Sequence, residues 1–427
     1  MSEYDPNTKQ VNGPVNVVRL EGTVSGINKV IYLFMDFHMN PQSQTQCDNL
    51  FSDDVSKYFA KSFHQLNKEK LTYDFFLEAY PSELSDKERH GYILRSHMRE
   101  NYIEEVVKFF KKIFRYDPSK NKVSVSDYIK NVRFHYIDIR DYIKLFKYQL
   151  SDINTILEKS NCHNYITDID ILYVIDILHF IKEIIIFVND VLNQKENMTY
   201  VFEPLNQPTD HNKNTLKLPV IPTSMEQTKF PLIFKYFINK ILTSYKNSTV
   251  KKILIANLNN IKKEFEQLNT DIGNMITNCT EYQKILAQPP VLTFDNRAIY
   301  KYHYGIPQYI VRDIIKNMQD QYELIDEKIV IYFARLIDIY FLRRFLDKDY
   351  ITNAIVYTGA LHSCNYVSIL VKSFDFKVTH VSYSKIPDLK KLMTEIKKKP
   401  WDEISGLLWP PVLQQCSDMS TFPEKFT

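Results

Sequence analysis

Two rhythms of apolar and polar positions divide the chain. In the first 140 residues, short apolar runs stop abruptly at polar residues. VNVVRLEGTVSG (15–26) reads as a strand and a turn. KVIYLFMDFHMN (29–40) is a continuous apolar run that ends in polar residues, the pattern of a strand buried on both faces. From Cys47 to Lys68 the apolar positions Leu50, Val55, Phe59, Phe63 and Leu66 recur at helical spacing. TYDFFLEAYPSE (72–83) is a short buried strand stopped by Pro81; residues 86–115 return to helical intervals; VRFHYIDIRD (132–141) is a third strand. Strand, helix, strand, helix, strand implies a parallel sheet with helical crossovers.

The second rhythm is helical. Residues 142–195 are very apolar at helical spacing, 196–230 form a proline-bearing loop, 231–285 are helical again, and 286–307 break the pattern. A long helix over 308–347 leads into the apolar run Ala354–Tyr357, which arrives at Gly359; NYVSILVKSF (365–374) then reads as a helix and FKVTHVSY (376–383) as a strand. The expected fold class is α/β: a mainly parallel sheet with flanking helices, formed by both ends of the chain, plus a large helical insertion. The expected divisions are a flexible arm over 1–15, a first half of the α/β core over 16–141, the mainly helical insertion over 142–307 and the second half of the core over 308–427.

Composition narrows the class of partner more than the fold. Hydrophobic residues are 44% and charged residues 25% of 427, enough for a sizeable core. Lys and Arg (54) nearly balance Asp and Glu (51), so charge gives no argument for nucleic acid. Tyr (29) and Phe (27) are abundant and Gly (8) is scarce, a mix that AT-rich codons give, as in large DNA viruses or some protists. The five cysteines, Cys47, Cys162, Cys279, Cys364 and Cys416, are odd in number and form no CxxC pair, which reads as free thiols in a reducing compartment. The N-terminus lacks a signal-peptide core. The most apolar segment, Ile169–Leu192, is punctuated by Asp170, Asp176, His179, Lys182, Glu183 and Asp190, so it reads as a buried amphipathic helix and not a membrane span. These features point to a cytoplasmic protein, in the host cytoplasm or a virion if the source is viral.

In open parallel sheets, ligands sit at the carboxyl ends of the strands. The polar residues at those ends are Asp36 and His38, then Glu78, then Asp138 and Arg140, with His362 three residues past Gly359. Two imidazoles and two or three carboxylates at one sheet edge suit a divalent metal (His38, Glu78 and His362 as ligands) or a general acid/base pair around water. Gly359 would supply a positive φ or a bare backbone beside the ligand. Plainer readings stand beside these. His362 and His38 could be buried histidines bonded to carbonyls. Glu78 could pair with Arg140, and Asp138 with Arg140, as structural salt bridges. Asp36 could cap a turn. Arg335 and Asp338 on the long helix could reach the site but more commonly form an internal helix pair; Cys364 could be a buried spectator thiol, and YKYHYG (300–305) a packed hairpin instead of a haem ligand.

VYTGALHSCNYVSILVKSFDFKV resembles the C-terminal glycine-x-x-histidine motif of the erythromycin esterase/ChaN-like/TraB/TIKI superfamily. VIYLFMDFHMNPQSQTQ resembles its first-strand motif, FFLEAY its second strand ending in glutamate, and YIDIRD its third. The resemblance covers about 140 N-terminal and 80 C-terminal residues; Met35 stands where that first motif commonly has glycine. It implies an α/β hydrolase acting on an ester or amide, esterase or metallopeptidase-like, with a small-molecule or peptide substrate. His38, Glu78, His362 and Asp36 would be catalytic, and Arg140, Asp138 and Gly359 would position substrate. A divalent metal (Mn, Co or Zn) is the implied cofactor, with haem as an alternative. The rival expectation is a non-catalytic binding or structural protein, virion-associated if viral, whose helical insertion contacts a protein partner.

Overall fold

The computed structural model describes residues 9–38, 46–49, 51–79, 102–114, 116–117, 122–123, 128–139, 144–195, 224–287, 302–303 and 306–427. Arg140, Asn40, Pro41, Pro81 and most of the loops expected over 196–230 and 286–307 lie outside them. In chain order, the first part holds β1 (Gln10–Asn12), β2 (Asn16–Val24), β3 (Ile27–Asp36), β4 (Asp53–Asp54), α1 (Val55–Gln65), β5 (Tyr73–Leu77), α2 (Tyr102–Ile113), the short pair β6 (Tyr116–Asp117) and β7 (Lys122–Val123), and β8 (Val132–Tyr136). The middle holds α3 (Lys144–His163), α4 (Asp168–Leu192), α5 (Ser224–Thr243), α6 (Ser248–Leu286), the short pair β9 (Tyr302–His303) and β10 (Ile306–Pro307), and α7 (Gln308–Asp347). The last part holds β11 (Asn353–Gly359), α8 (Ala360–Ser373), β12 (Lys377–Val381), α9 (Leu389–Lys398), α10 (Ser405–Leu408) and β13 (Cys416–Asp418).

The chain falls into two compact units. The first comprises Met1–Asp141, Tyr245–Ile255 and Ile337–Thr427; the second comprises Tyr142–Ser244 and Ala256–Leu336. The fold class is α/β. In the first unit a six-stranded sheet has the order β12-β2-β3-β11-β5-β8. β3, β11, β5 and β8 run parallel, while β2 pairs antiparallel with both β3 and β12. The β2–β3 hairpin turns on Ser25 and Gly26, both at positive φ (50° and 81°), the two-residue turn whose twist matches paired strands.

One face of the sheet carries an aromatic core. Phe34, Phe75 and Tyr357 point from three strands into Phe59 and Phe63 of α1 and Phe110 of α2, with Phe34 and Phe59 rings 4.8 Å apart, edge to face. The C-terminal Phe426 closes on Tyr32 at 5.0 Å. On the other face Phe341 of α7 packs edge-on against Phe76 (5.0 Å) and at a tilt against Tyr366 of α8 (4.6 Å). Much of the Phe and Tyr excess is spent on these two layers, where each ring buries a large apolar area.

Three expectations change here. The arm over 1–15 is, from Gln10 onward, strand β1, held between β4 and β13, with Val11 and Val15 buried. The expected free thiols include a disulfide, Cys47–Cys416, spanning 369 residues. Sequence spacing could not reveal it, because β1 is what draws the approach to β4 and strand β13 together. Finally, residues 245–255 lie in the first unit and not with the helices around them. The Asp347 carboxylate accepts the backbone N–H groups of Lys246 (2.9 Å) and Asn247 (2.8 Å) there.

The second unit is helical. α4 starts on a full capping box between Thr167 and Asp170 and buries Ile171, Val174, Ile177, Leu178 and their successors. Phe265 of α6 meets Phe333 of α7 at 5.0 Å. Among the described residues no helix is long and apolar enough to cross a membrane.

Candidate active site

Register builds the site. β11 lies between β3 and β5, with Gly359 beside Asp36 and Tyr357 beside Leu77. The carboxyl ends of three parallel strands therefore stop level, and Asp36, Glu78 and Gly359 meet at one rim. Asp36 is on the aromatic-core side, where its Oδ1 accepts the Tyr357 hydroxyl at 2.9 Å. Glu78 belongs to the other side, where its Oε2 accepts Thr358 Oγ1 and the Gly359 backbone N–H, both at 2.7 Å.

His38 crosses the rim between them. It is not a continuation of β3: its φ is +54°, in the left-handed region that non-glycine residues seldom occupy. Asp36 Oδ2 holds this turn by accepting the His38 backbone N–H (2.9 Å) and its Nδ1–H (2.7 Å). Capping the turn and orienting the imidazole are thus one function of Asp36, and strand alternation plays no part. The ring's other nitrogen, Nε2, reaches to 3.8 Å from Glu78 Oε2.

Gly359 makes room for this crossing. Its φ is −51°, so positive φ is not the reason for glycine. A Cβ there would lie 3.0 Å from His38 Nε2, 3.4 Å from Glu78 Oε2 and 3.6 Å from His362 Cδ2. The missing side chain marks the centre of the cluster.

His362 stands in the first turn of α8. Its Nδ1–H donates to Asp338 Oδ1 at 2.6 Å, and its Nε2 lies 3.4 Å from Glu78 Oε1. Asn365, three residues on, donates to Asp338 Oδ2 at 2.5 Å. Each imidazole therefore has Nδ1 on a carboxylate and Nε2 turned to Glu78. Their exposure differs: the His38 side chain is 41% exposed and that of His362 is 7%. Burial pulls the His362 imidazole down, but Asp338 and Glu78 outweigh it and push its pKa up to about 10. Burial also opposes charge on His38, and the Asp36 hydrogen bond with the Glu78 charge raises its pKa above the ordinary value.

The remaining expected residues are placed as follows. Asp138 is buried two residues past β8, and Arg140 lies outside the described residues. Arg335 pairs with Glu264 in the second unit. Cys364 is fully buried and its thiol is pushed up to about 12 by burial. Met35 is fully buried beside Thr358. His38, Glu78 and His362 are donor types that suit a divalent metal, but among the described residues no group of three or more His, Cys, Asp or Glu is arranged to hold one. Sequence reasoning missed Tyr357, Thr358 and Asn365, and set Asp338 between reaching the site and the commoner reading of a helix pair with Arg335. A buried aspartate in an apolar helix needs a partner, and that was the available signal.

Fold and cluster together define an α/β protein with two carboxylate-oriented histidines at the rim of a parallel sheet. The chain belongs to the family of unknown function DUF5847, whose match spans residues 9–427. It is 42% identical over 432 residues to the uncharacterised protein R706 of Acanthamoeba polyphaga mimivirus, covering 99% of this chain and 98% of that one. Protein R161 of the same virus is 38% identical over 451 residues, covering all of both chains, and R160 is 37% identical over 432 residues, covering 99% and 98%. These viral relatives support a large-DNA-virus origin. No solved structure matches the chain.

Proposed function

We propose that this protein is a hydrolase of esters or amides, related in its rim chemistry to the erythromycin esterase/ChaN-like type, and that His38 is its general base. One observation carries the reading: two imidazoles, each fixed through Nδ1 by its own carboxylate, present Nε2 to a shared glutamate at the strand ends. His38 is the accessible one. Asp36 fixes its tautomer and supports the imidazolium formed when Nε2 takes a proton from water. His362 carries a positive charge at neutral pH and offers electrostatic stabilisation to negative charge developing at an attacked carbonyl. Glu78, held by Thr358 and Gly359, keeps the two rings at a set spacing.

The test is a panel of aryl esters, lactones and peptide amides assayed with wild type, His38→Ala and His362→Ala. Hydrolysis that is lost in both variants supports the reading, with the acid limb of kcat/KM above pH 6.5 because the His38 pKa is raised. No turnover with folded protein favours the binding-protein alternative, a virion or host protein contact through the helical segment.

A second reading gives the two Nε2 atoms and Glu78 to a divalent cation (Mn, Co or Zn), which would have to draw together side chains that the described residues do not arrange as a metal cluster. It is favoured by the carboxylate on each Nδ1, the arrangement that orients metal-binding histidines. Metal content of chelator-free protein separates the two: a near-stoichiometric transition metal lost in both histidine variants would replace the first reading.

A further inference from the structure

The last three residues of β11 each serve a different part of the rim. Thr358 and the Gly359 N–H hold Glu78, and Gly359 leaves room for the His38 ring. Tyr357 stands behind Asp36. That buried carboxylate spends its Oδ2 on the His38 turn, where it accepts the backbone N–H and Nδ1–H. Its Oδ1 accepts the Tyr357 hydroxyl at 2.9 Å. Burial and the Asp36 charge push the Tyr357 pKa well above its ordinary value, so the hydroxyl keeps its proton and donates. The carboxylate torsion of an aspartate is soft and roughly two-fold. A donor on the second oxygen stops that torsion, and with it the plane and tautomer of the imidazole. Tyr357 is itself anchored: its ring meets Phe59 at 5.9 Å, and its carbonyl accepts the Glu78 backbone N–H at 3.1 Å. The second histidine repeats the device, with Asn365 on the far oxygen of Asp338.

We propose that Tyr357 is a positioning residue that acts through Asp36, fixing the carboxylate so that His38 keeps its proton on Nδ1 and turns a bare Nε2 towards the substrate. Without the hydroxyl, Asp36 Oδ1 is left buried and unpaired. The carboxylate then turns, and the ring samples its other tautomer. The effect on rate rests on the hydrolase reading; the effect on the ring does not.

Imidazole nitrogen NMR of the full chain, with isotope-labelled histidine, reads the tautomer directly. Spectra are taken at alkaline pH, where the His38 ring is neutral, and His38→Ala assigns its signals. Wild type should show the Nδ1–H form. Tyr357→Phe keeps the ring and removes only the hydroxyl. It should show a mixture of tautomers and lower kcat by about tenfold, with KM within about twofold. Tyr73→Phe is the control. It deletes a buried hydroxyl on the neighbouring β5 that has no hydrogen-bond partner among the described residues, and it should change neither readout. On an Asp36→Ala background, Tyr357→Phe should have no further effect on kcat, because its partner is already gone. A wild-type His38 ring protonated on Nε2 overturns the proposal, whether or not the variant folds. So does an unchanged tautomer in folded Tyr357→Phe, or a full additional loss on the Asp36→Ala background. A tautomer shift with no hydrolysis in any sample supports the positioning role and overturns the hydrolase reading. Hydrolysis that Tyr357→Phe leaves at the wild-type rate overturns the positioning role and supports the hydrolase reading without it.

Discussion

β5 directs two carboxylates to the same face of the sheet, Asp74 near its start and Glu78 just past its end, and each serves a histidine. Asp74 is fully buried and accepts Arg133 Nε (2.8 Å) and Nη2 (2.6 Å) as well as His135 Nε2–H (2.7 Å). The other His135 nitrogen accepts from Arg344 Nη2 at 2.7 Å. Burial, with Arg344 and Arg133 adding to it, pushes the His135 pKa down to about 4 despite Asp74. At the rim, His362 is equally buried but faces two carboxylates, and its pKa rises to about 10. The ingredients are alike and the outcome is opposite. Where arginines supply the positive charge, the histidine stays neutral and the cluster is inert to pH near 7. Where the imidazole must supply it, the cluster holds a proton that chemistry can move.

The strongest way to break that comparison is to remove each histidine. His38→Ala should lower kcat/KM by about 10²–10⁴-fold with little change in melting temperature, the range expected for a general base. His135→Gln should lower the melting temperature and leave kcat/KM alone. If both variants lose activity equally, the distinction between rim and interior collapses.

Next comes Asp74→Ala, which leaves Arg133 and Arg344 around a vacated carboxylate. Urea unfolding should show a loss of about 2–3 kcal/mol, less than a fully buried pair because Arg133 is one-third exposed.

The pH dependence of stability sharpens the contrast further. The folded pKa of His362 lies above the unfolded 6.5. Its contribution is therefore full below pH 6.5 and is lost as pH rises through about 10. The folded pKa of His135 lies below 6.5, so its contribution is present above pH 6.5 and is lost as pH falls through about 4. His362→Gln should flatten the alkaline side of a melting-temperature profile and His135→Gln the acid side; crossed or absent effects would contradict the assigned charges.

Gly359→Ala is a finer probe. The new Cβ would crowd His38 Nε2 at 3.0 Å, while a φ of −51° suits alanine. The expectation is about a tenfold fall in kcat/KM from a displaced base, with unchanged or slightly raised melting temperature. Smallest is Thr358→Val, which removes one of the hydrogen bonds to Glu78 and should cost about 1 kcal/mol in urea unfolding.

The strands were readable because their apolar runs end sharply: β5 and β8 fall inside runs marked by pattern alone, and the runs at 29–40 and 354–357 mark the bodies of β3 and β11. Their polar stops, Asp36, Glu78 and Gly359, came with them. What was hidden depends on tertiary geometry. Asp338 sits in an apolar helix where Arg335 offered a nearer partner, and only the packing of α7 on α8 chooses His362. The left-handed turn at His38 was hidden because its sequence carries no glycine or asparagine there to announce it. β1 was hidden by length, since three residues carry no periodicity, and the disulfide was hidden with it.

The central place of β11 has a consequence for how the protein is made. About 275 residues separate the end of β5 from the start of β11. At roughly 5–20 residues per second, the ribosome needs roughly 15 to 55 s to supply the missing strand. Through that interval β3 and β5 each lack the neighbour that lies between them, and their inner edges are open templates for other chains. A host cell producing this protein must shelter a half-sheet for tens of seconds, and every copy passes through that window before its rim of histidines exists.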